Sequence, residues 1–98
     1  MYPTPIRVKE AARSVKHSES AAILLGQRVR ELRSKRTQTQ QELAEAAGIP
    51  QQQVSAIERG MMLPNLVTLI RLAGALDCKV STLVAAFDKE NLAKLLPK

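Results

Sequence analysis

The sequence has almost no aromatic side chains, with one Tyr, one Phe and no Trp among 98 residues. A hydrophobic core must therefore be built from aliphatic side chains, and Leu, Ile, Val and Ala at helical spacing meet that need. A chain of this length forms one domain with a modest core and leaves little room for a sheltered pocket. We expect an all-α fold, a compact bundle of helices.

Cysteine and histidine are equally scarce, since Cys78 and His17 are the single residues of their types. An internal disulfide is excluded, and neither residue has a partner at metal-ligand spacing. The sequence also lacks paired carboxylates and a glycine-rich phosphate loop. We therefore expect no enzyme activity, no cofactor and no metal ion, and a reducing cytoplasm as the compartment.

Long hydrophobic runs are missing as well. The start of the chain has no apolar segment of the length that a signal peptide requires. The longest aliphatic run nearby, residues 21–25, is far too short to span a bilayer. We expect a soluble protein that is not exported and has no membrane partner.

Acidic residues are too few to balance the basic ones, because nine Asp and Glu stand against fifteen Lys and Arg, giving a net charge of +6. The excess lies in residues 1–36, with nine basic and three acidic groups, whereas residues 37–98 hold six of each. Such an uneven positive field attracts polyanions, nucleic acid above all. A mildly basic protein without a polyanionic partner is the alternative interpretation.

Helical periodicity along the chain predicts five helices, at residues 20–36, 40–47, 50–59, 65–76 and 81–86. Residues 1–19 combine two prolines with basic side chains, which indicates a flexible basic arm. In that arm we consider a turn or two of helix between Lys9 and His17, or a path along DNA phosphates. Residues 88–98 carry three leucines on one side, and we expect them to form a short amphipathic C-terminal turn or helix that either folds back on the domain or meets a partner.

The most informative stretch is residues 39–60, which predicts two short helices hinged at Gly48. Thr39 is the expected N-cap of the first helix, and Gly48 suits the left-handed conformation at its sharp end. On the second helix, Val54, Ile57 and Glu58 fall on one side at about 100° per residue. The opposite side carries side chains that are mainly polar, namely Gln52, Ser55, Ala56 and Arg59, with Gln51 at its edge.

Amide side chains in the first turn of a helix suit the recognition of adenine in the major groove, because an amide donates and accepts at once. The alternative interpretation is a polar helix face that is exposed to water and binds nothing.

Residues 25–83 also resemble a known family. The matching positions are Leu32-Arg33, Thr39-Gln40, Leu43-Ala44, Gly48-Ile49, Val54, Ile57-Glu58-Arg59-Gly60, Pro64, Leu69 and Ala75-Leu76.

These residues resemble the helix-turn-helix domain of the lambda-repressor and Cro family, also called the xenobiotic-response-element type. The resemblance implies a lambda-repressor-like five-helix domain over residues 20–87. It also implies an ion pair between Arg33 and Glu58, and a Gln40 that contacts the DNA backbone and braces Gln51. Pro50 departs from the family pattern, which commonly has a capping Ser or Thr there, but proline suits a first helical turn.

The expected DNA contacts follow from this comparison and from the helical wheel. Base contacts are expected from Gln51, Gln52 and Ser55, with Gln53 and Arg59 at the margin. Phosphate contacts are expected from Gln40, Asn65, Arg28 and Arg36.

We interpret the sequence as a DNA-binding transcription regulator of a bacterium or phage, associated with the nucleoid. We expect a repressor or autoregulator that binds an inverted-repeat operator in double-stranded DNA. We expect it to bind as a homodimer, with the contact formed by the fifth helix and residues 88–98. Intramolecular packing of the tail is the alternative to the dimer. The alternative function is an antitoxin-type or other interaction module that binds a partner protein through the arm or the tail.

Overall fold

The computed structural model describes the backbone of residues 8–87 and the side chains of residues 19–85 and 87. All regular structure in this range is helical, which confirms the all-α prediction. Its elements are α1 (Val8–Lys35), α2 (Gln40–Ala47), α3 (Gln51–Glu58), α4 (Leu66–Ala75), α5 (Val80–Leu83) and a 3-10 turn (Val84–Ala86). The tail at residues 88–98 lies outside the described residues.

The first helix is longer than predicted, because it begins at Val8 and not at Ser20. Residues 8–19 contain neither Gly nor Pro, so nothing in the sequence breaks the helix before the expected cap. Ser20 therefore lies inside a continuous helix, and only residues 1–7 of the predicted arm remain outside the described structure.

The core is aliphatic, as the composition requires, and every one of the five helices contributes to it. Its buried members are Leu25, Val29, Leu43, Ala44, Ala47, Val54, Ile57, Leu72, Ala73, Leu76 and Leu83. Leu32, predicted to belong to the same stripe as Leu25 and Val29, is partly buried against this cluster. The short helices α2 and α3 are thus held mainly by packing, since isolated helices of this length are marginal in water.

A capping box starts α2. The Thr39 hydroxyl accepts a hydrogen bond from the Glu42 backbone N–H at 3.0 Å, and the Glu42 carboxylate accepts one from the Thr39 backbone N–H at 2.9 Å. At the other end, Gly48 has φ 69° and ψ 35°, the left-handed conformation that the sequence predicted. Both ends of α2 are therefore fixed locally.

Pro50 occupies the N-cap of α3, one residue before the helix that was predicted to include it. Its extended conformation, φ −63° and ψ 144°, suits proline, and its carbonyl accepts from the Gln53 backbone N–H at 3.0 Å. Proline supplies no side-chain cap, so the first two backbone N–H groups of α3, those of Gln51 and Gln52, remain free.

The capping box predicts a dependence of stability on pH. The hydrogen bonds from the Thr39 backbone and hydroxyl lower the pKa of Glu42 below its ordinary value of 4.5. A carboxyl group whose pKa is lower in the folded than in the unfolded protein stabilises the fold at pH values above its unfolded-state pKa. This contribution disappears as the pH falls through the folded-state pKa. We expect Glu42→Gln to reduce the loss of stability below about pH 4.5, measured by urea unfolding at several pH values. An unchanged pH profile would contradict this.

Candidate nucleic-acid interface

A shallow groove lies between the start of α2 and the outer side of α3. Its volume is about 310 Å³, and it is lined by Gln40, Gln51, Gln52, Ser55 and Arg59. Four of the five expected base contacts therefore share one surface with the Gln40 side chain. Gln53, the fifth, is half-buried and is not among the residues that line the groove.

The packing of α3 explains why these side chains face outward. Val54 and Ile57 are fully buried in the core, and Glu58 is buried beside them. Because residues three and four apart share one side of a helix, burial of this set leaves Gln52 and Arg59 exposed on the other side. Gln51 is exposed at the first turn, next to the start of α2.

The groove is suited to hydrogen bonding with a polar or anionic surface. Its lining consists of three amides, one hydroxyl and one guanidinium, and includes no carboxylate. The Arg59 Nε donates to the Ser55 carbonyl at 3.3 Å, which leaves the rest of the guanidinium available. Amides that both donate and accept can distinguish base pairs by their major-groove edges.

A buried ion pair lies where α1 meets α3. The Arg33 Nε donates to Glu58 Oε2 at 2.6 Å, and Arg33 Nη2 donates to Glu58 Oε1 at 3.0 Å. The side chains are 15% and 2% exposed, respectively. The hydrogen bond to Glu58 raises the pKa of Arg33 above its usual value, and partial burial opposes that shift. Arg33 Nη1 also donates to the Gln38 carbonyl at 2.7 Å, so the pair ties α1 to the start of α2.

Gln40 has a partner that the sequence did not indicate. Its Nε2 donates to Glu58 Oε1 at 3.1 Å, whereas the family resemblance had paired it with Gln51. Both glutamines line the groove, so the structure brings them together on one surface. No local pattern relates Gln40 to Glu58, because the contact depends on how α2 packs against the end of α3.

The residues expected to contact phosphate lie in different surroundings. Asn65 is the N-cap of α4, where its Oδ1 accepts from the Thr68 backbone N–H at 2.8 Å. Arg36 is exposed just after α1. The guanidinium of Arg28 is engaged at the contact between α1 and α5, donating to the Thr82 carbonyl and to Glu31, at 3.1 Å in each case.

One cationic contact near the turn was not predicted from the sequence. Arg71 Nη1, on α4, donates to the Gly48 carbonyl at 3.3 Å and so supports the end of α2. Its exposed position on α4 gave no signal of this role.

Among residues 19–85 and 87, whose side chains are described, no group of three or more His, Cys, Asp or Glu could hold a metal ion. Cys78 is partly buried, and that burial raises the pKa of its thiol. None of the described helices is both long and apolar enough to span a bilayer.

Comparison with known proteins agrees with this geometry. A family model described as helix-turn-helix matches residues 29–83. An immunity repressor protein of Bacillus phage phi105 is 42% identical over 70 residues, covering 71% of this chain and 46% of the repressor. The chain therefore spans about half the length of that relative.

Two further relatives are covered more fully. The uncharacterized HTH-type transcriptional regulator y4dJ of Sinorhizobium fredii is 36% identical over 66 residues, covering 67% of this chain and 86% of that regulator. The crystal structure of the restriction-modification controller protein C.AhdI from Aeromonas hydrophila has 37% identity and a TM-score of 0.62. The alignment covers 63% of this chain and 94% of that one.

Proposed function

The chain belongs to the lambda-repressor-like, xenobiotic-response-element type helix-turn-helix family of DNA-binding regulators, and we propose that it represses transcription from a specific operator, in the cytoplasm at the nucleoid. The observation that carries this proposal is the groove at the α2–α3 junction, where exposed amides face outward together. An autoregulator and a repressor of other genes use the same surface in the same way.

In this proposal α3 lies in the major groove and reads base edges with Gln51, Gln52 and Ser55. Arg59, at the end of α3, contacts either a base or the neighbouring backbone. Gln53 is assigned a marginal role because it lies outside the groove lining. A glutamine amide that pairs with adenine N6 and N7 discriminates by about 1–3 kcal/mol against other bases.

Phosphates would be held at helix N-termini and by exposed cations. The starts of α2 and α4 present backbone N–H groups at the positive ends of their helix dipoles. Gln40 and Asn65 mark these two positions, and Arg36 adds an exposed charge nearby in the chain. Arg28 would have to leave Thr82 and Glu31 to reach a phosphate, so we expect it to contribute the least of the four to phosphate binding.

Alanine substitution in the groove tests the assignment of base contacts. We expect Gln52→Ala to weaken operator binding by about 1–3 kcal/mol and to relax the preference at one base pair. Gln27→Ala, which removes an exposed amide from α1, should leave affinity and preference unchanged. Fluorescence anisotropy with the operator and with single-base variants measures both effects. Equal affinities and equal preferences for the two variants would contradict the assignment.

We also propose that the protein binds its operator as a homodimer. An inverted-repeat operator has two-fold symmetry, with half-sites about 34 Å apart, and a two-fold symmetric dimer matches it. The contact would involve α5 and residues 88–98, and the structure supports extending it onto α4. There, Leu66, Val67 and Ile70 are exposed and apolar. Apolar side chains add no like-charge repulsion where two copies of a basic protein meet.

Sedimentation velocity at micromolar concentration tests the dimer. We expect the wild-type chain to sediment as a dimer and Ile70→Lys to sediment as a monomer, because a charge cannot be buried cheaply in an apolar contact. Ile23→Lys places the same charge on an exposed apolar position of α1 and should leave the dimer intact. A monomeric wild-type protein would refute the dimer, and a dimeric Ile70→Lys would exclude α4 from the contact.

A second candidate function is an antitoxin-type or other interaction module that binds a partner protein. The observation that favours it is the length of α1, which runs from Val8 to Lys35 and so begins well before residue 29, where the match to the family model starts. A small partner that co-purifies with the full chain, but not with a chain lacking residues 1–19, would distinguish this function. It is compatible with operator binding by the same protein.

A further inference from the structure

The Glu58 carboxylate connects three helices directly behind the groove. It extends from the last residue of α3, receives two hydrogen bonds from Arg33 on α1, and receives a third from Gln40 Nε2 at the start of α2. The Glu58 side chain is almost completely buried, whereas Gln40 is half-buried and lines the groove. Gln40 thus covers the carboxylate and separates it from the surface proposed to meet DNA.

Hydrogen-bond chemistry fixes the direction of this contact. An ionised carboxylate only accepts hydrogen bonds, whereas a glutamine amide has a donating NH₂ end and an accepting carbonyl end. Gln40 must therefore turn its NH₂ group toward Glu58. Because the two ends of an amide diverge from one carbon, the Gln40 carbonyl oxygen is turned away from the carboxylate.

We propose that Glu58 is a positioning residue that sets the polarity of the Gln40 amide, so that the groove presents an acceptor at the start of α2. This inference rests on the proposed function and sharpens it. An acceptor at this point favours a hydrogen-bond donor, such as the exocyclic amino group of adenine or cytosine in the major groove. The phosphate contact at the same place is then made by the backbone N–H of Gln40, which is free at the helix start.

The other groove amides differ from Gln40 in this respect. Among the described residues, the side chains of Gln51 and Gln52 have no hydrogen-bond partner within the protein. These two amides can turn either their NH₂ group or their carbonyl group toward a base. The groove therefore combines two amides of variable orientation with the Gln40 amide, whose orientation is set by the buried Glu58. Arg33 is required for this arrangement, because it neutralises Glu58 and keeps an unpaired negative charge away from the DNA.

Side-chain ¹⁵N relaxation of the wild-type protein tests, without any substitution, whether the Gln40 amide is held in place. We expect the order parameter of the Gln40 Nε2 group to exceed those of Gln51 and Gln52, because only Gln40 is held by a buried carboxylate. Equal order parameters for the three amides would overturn the proposal. This measurement does not involve DNA, so it decides whether Glu58 holds the Gln40 amide even if the protein proves to have no preferred DNA site and the proposed function fails.

A double-mutant cycle then tests the consequence for binding. Glu58→Gln should weaken binding to the preferred site about fivefold in the wild-type background. In the Gln40→Met background, which keeps the length of the side chain but removes the amide, the same change should weaken binding less than about twofold. An equal loss in both backgrounds would show that Glu58 acts through the fold and not through Gln40, and would overturn the proposal. All variants are compared at a temperature where unfolding curves show them to be folded.

Discussion

Replacing Gly26 with alanine is expected to lower the free energy of unfolding by about 3 kcal/mol. A Cβ atom at this position would lie 2.2 Å from the Ile57 carbonyl oxygen and 2.9 Å from that of Glu58. Both neighbours are backbone atoms, so no side-chain rotation relieves the clash, and α1 must move away from α3. Such a movement also displaces the Arg33–Glu58 pair, which spans the same contact.

Gly74→Ala is the matched control, since it makes the same substitution within α4. A Cβ there meets nothing within 4 Å, and alanine is favoured over glycine in a helix interior by about 1 kcal/mol. We expect Gly74→Ala to stabilise the protein by an amount of this order, so that the two alanine variants shift the urea midpoint in opposite directions. If Gly26→Ala were as stable as the wild type, the close approach of α1 to α3 would be wrong.

Arg33→Ala is expected to lower stability by about 3–5 kcal/mol. The substitution leaves the Glu58 carboxylate buried with only Gln40 as a described partner, and a buried charge without its counter-ion costs far more than an exposed pair contributes. Arg30→Ala removes the same kind of side chain from an exposed position of α1 and should change stability by less than about 0.5 kcal/mol.

Thermal and urea unfolding of the two arginine variants measures this difference. The double variant Arg33→Met with Glu58→Leu should recover part of the loss, because it removes both charges together and replaces them with apolar side chains of similar size. Equal melting temperatures for Arg33→Ala and Arg30→Ala would show that the pair is not an anchor of α3.

The helix-turn-helix could be predicted from the sequence because its signals are local. Thr39 has the character of an N-cap, Gly48 marks a sharp helix end, and the apolar period of α3 separates its buried side from its exposed side. Each of these features is decided within a few residues. The amide groove follows from them, since the direction of Gln52 depends mainly on which side of α3 is buried.

Features that depend on packing could not be predicted in the same way. The early start of α1 is a different case with a local cause, because Ser20 had the character of a cap but no Gly or Pro among residues 8–19 stops the helix from continuing back to Val8. Gln40 and Glu58 are distant in sequence and meet only because α2 packs against the end of α3. The hydrogen bond from Arg28 to the Thr82 carbonyl is likewise a tertiary contact, which joins α1 to α5.

Random-site selection with the purified full chain tests the central claim most directly. The proposed function predicts that an inverted repeat is enriched, with half-sites one helical turn apart or a multiple of it, and that Gln51→Ala and Gln52→Ala each change the selected bases within a half-site. An unenriched pool, or an enriched site whose sequence is the same for the wild type and for both variants, would contradict the assignment of α3 as the element that reads DNA.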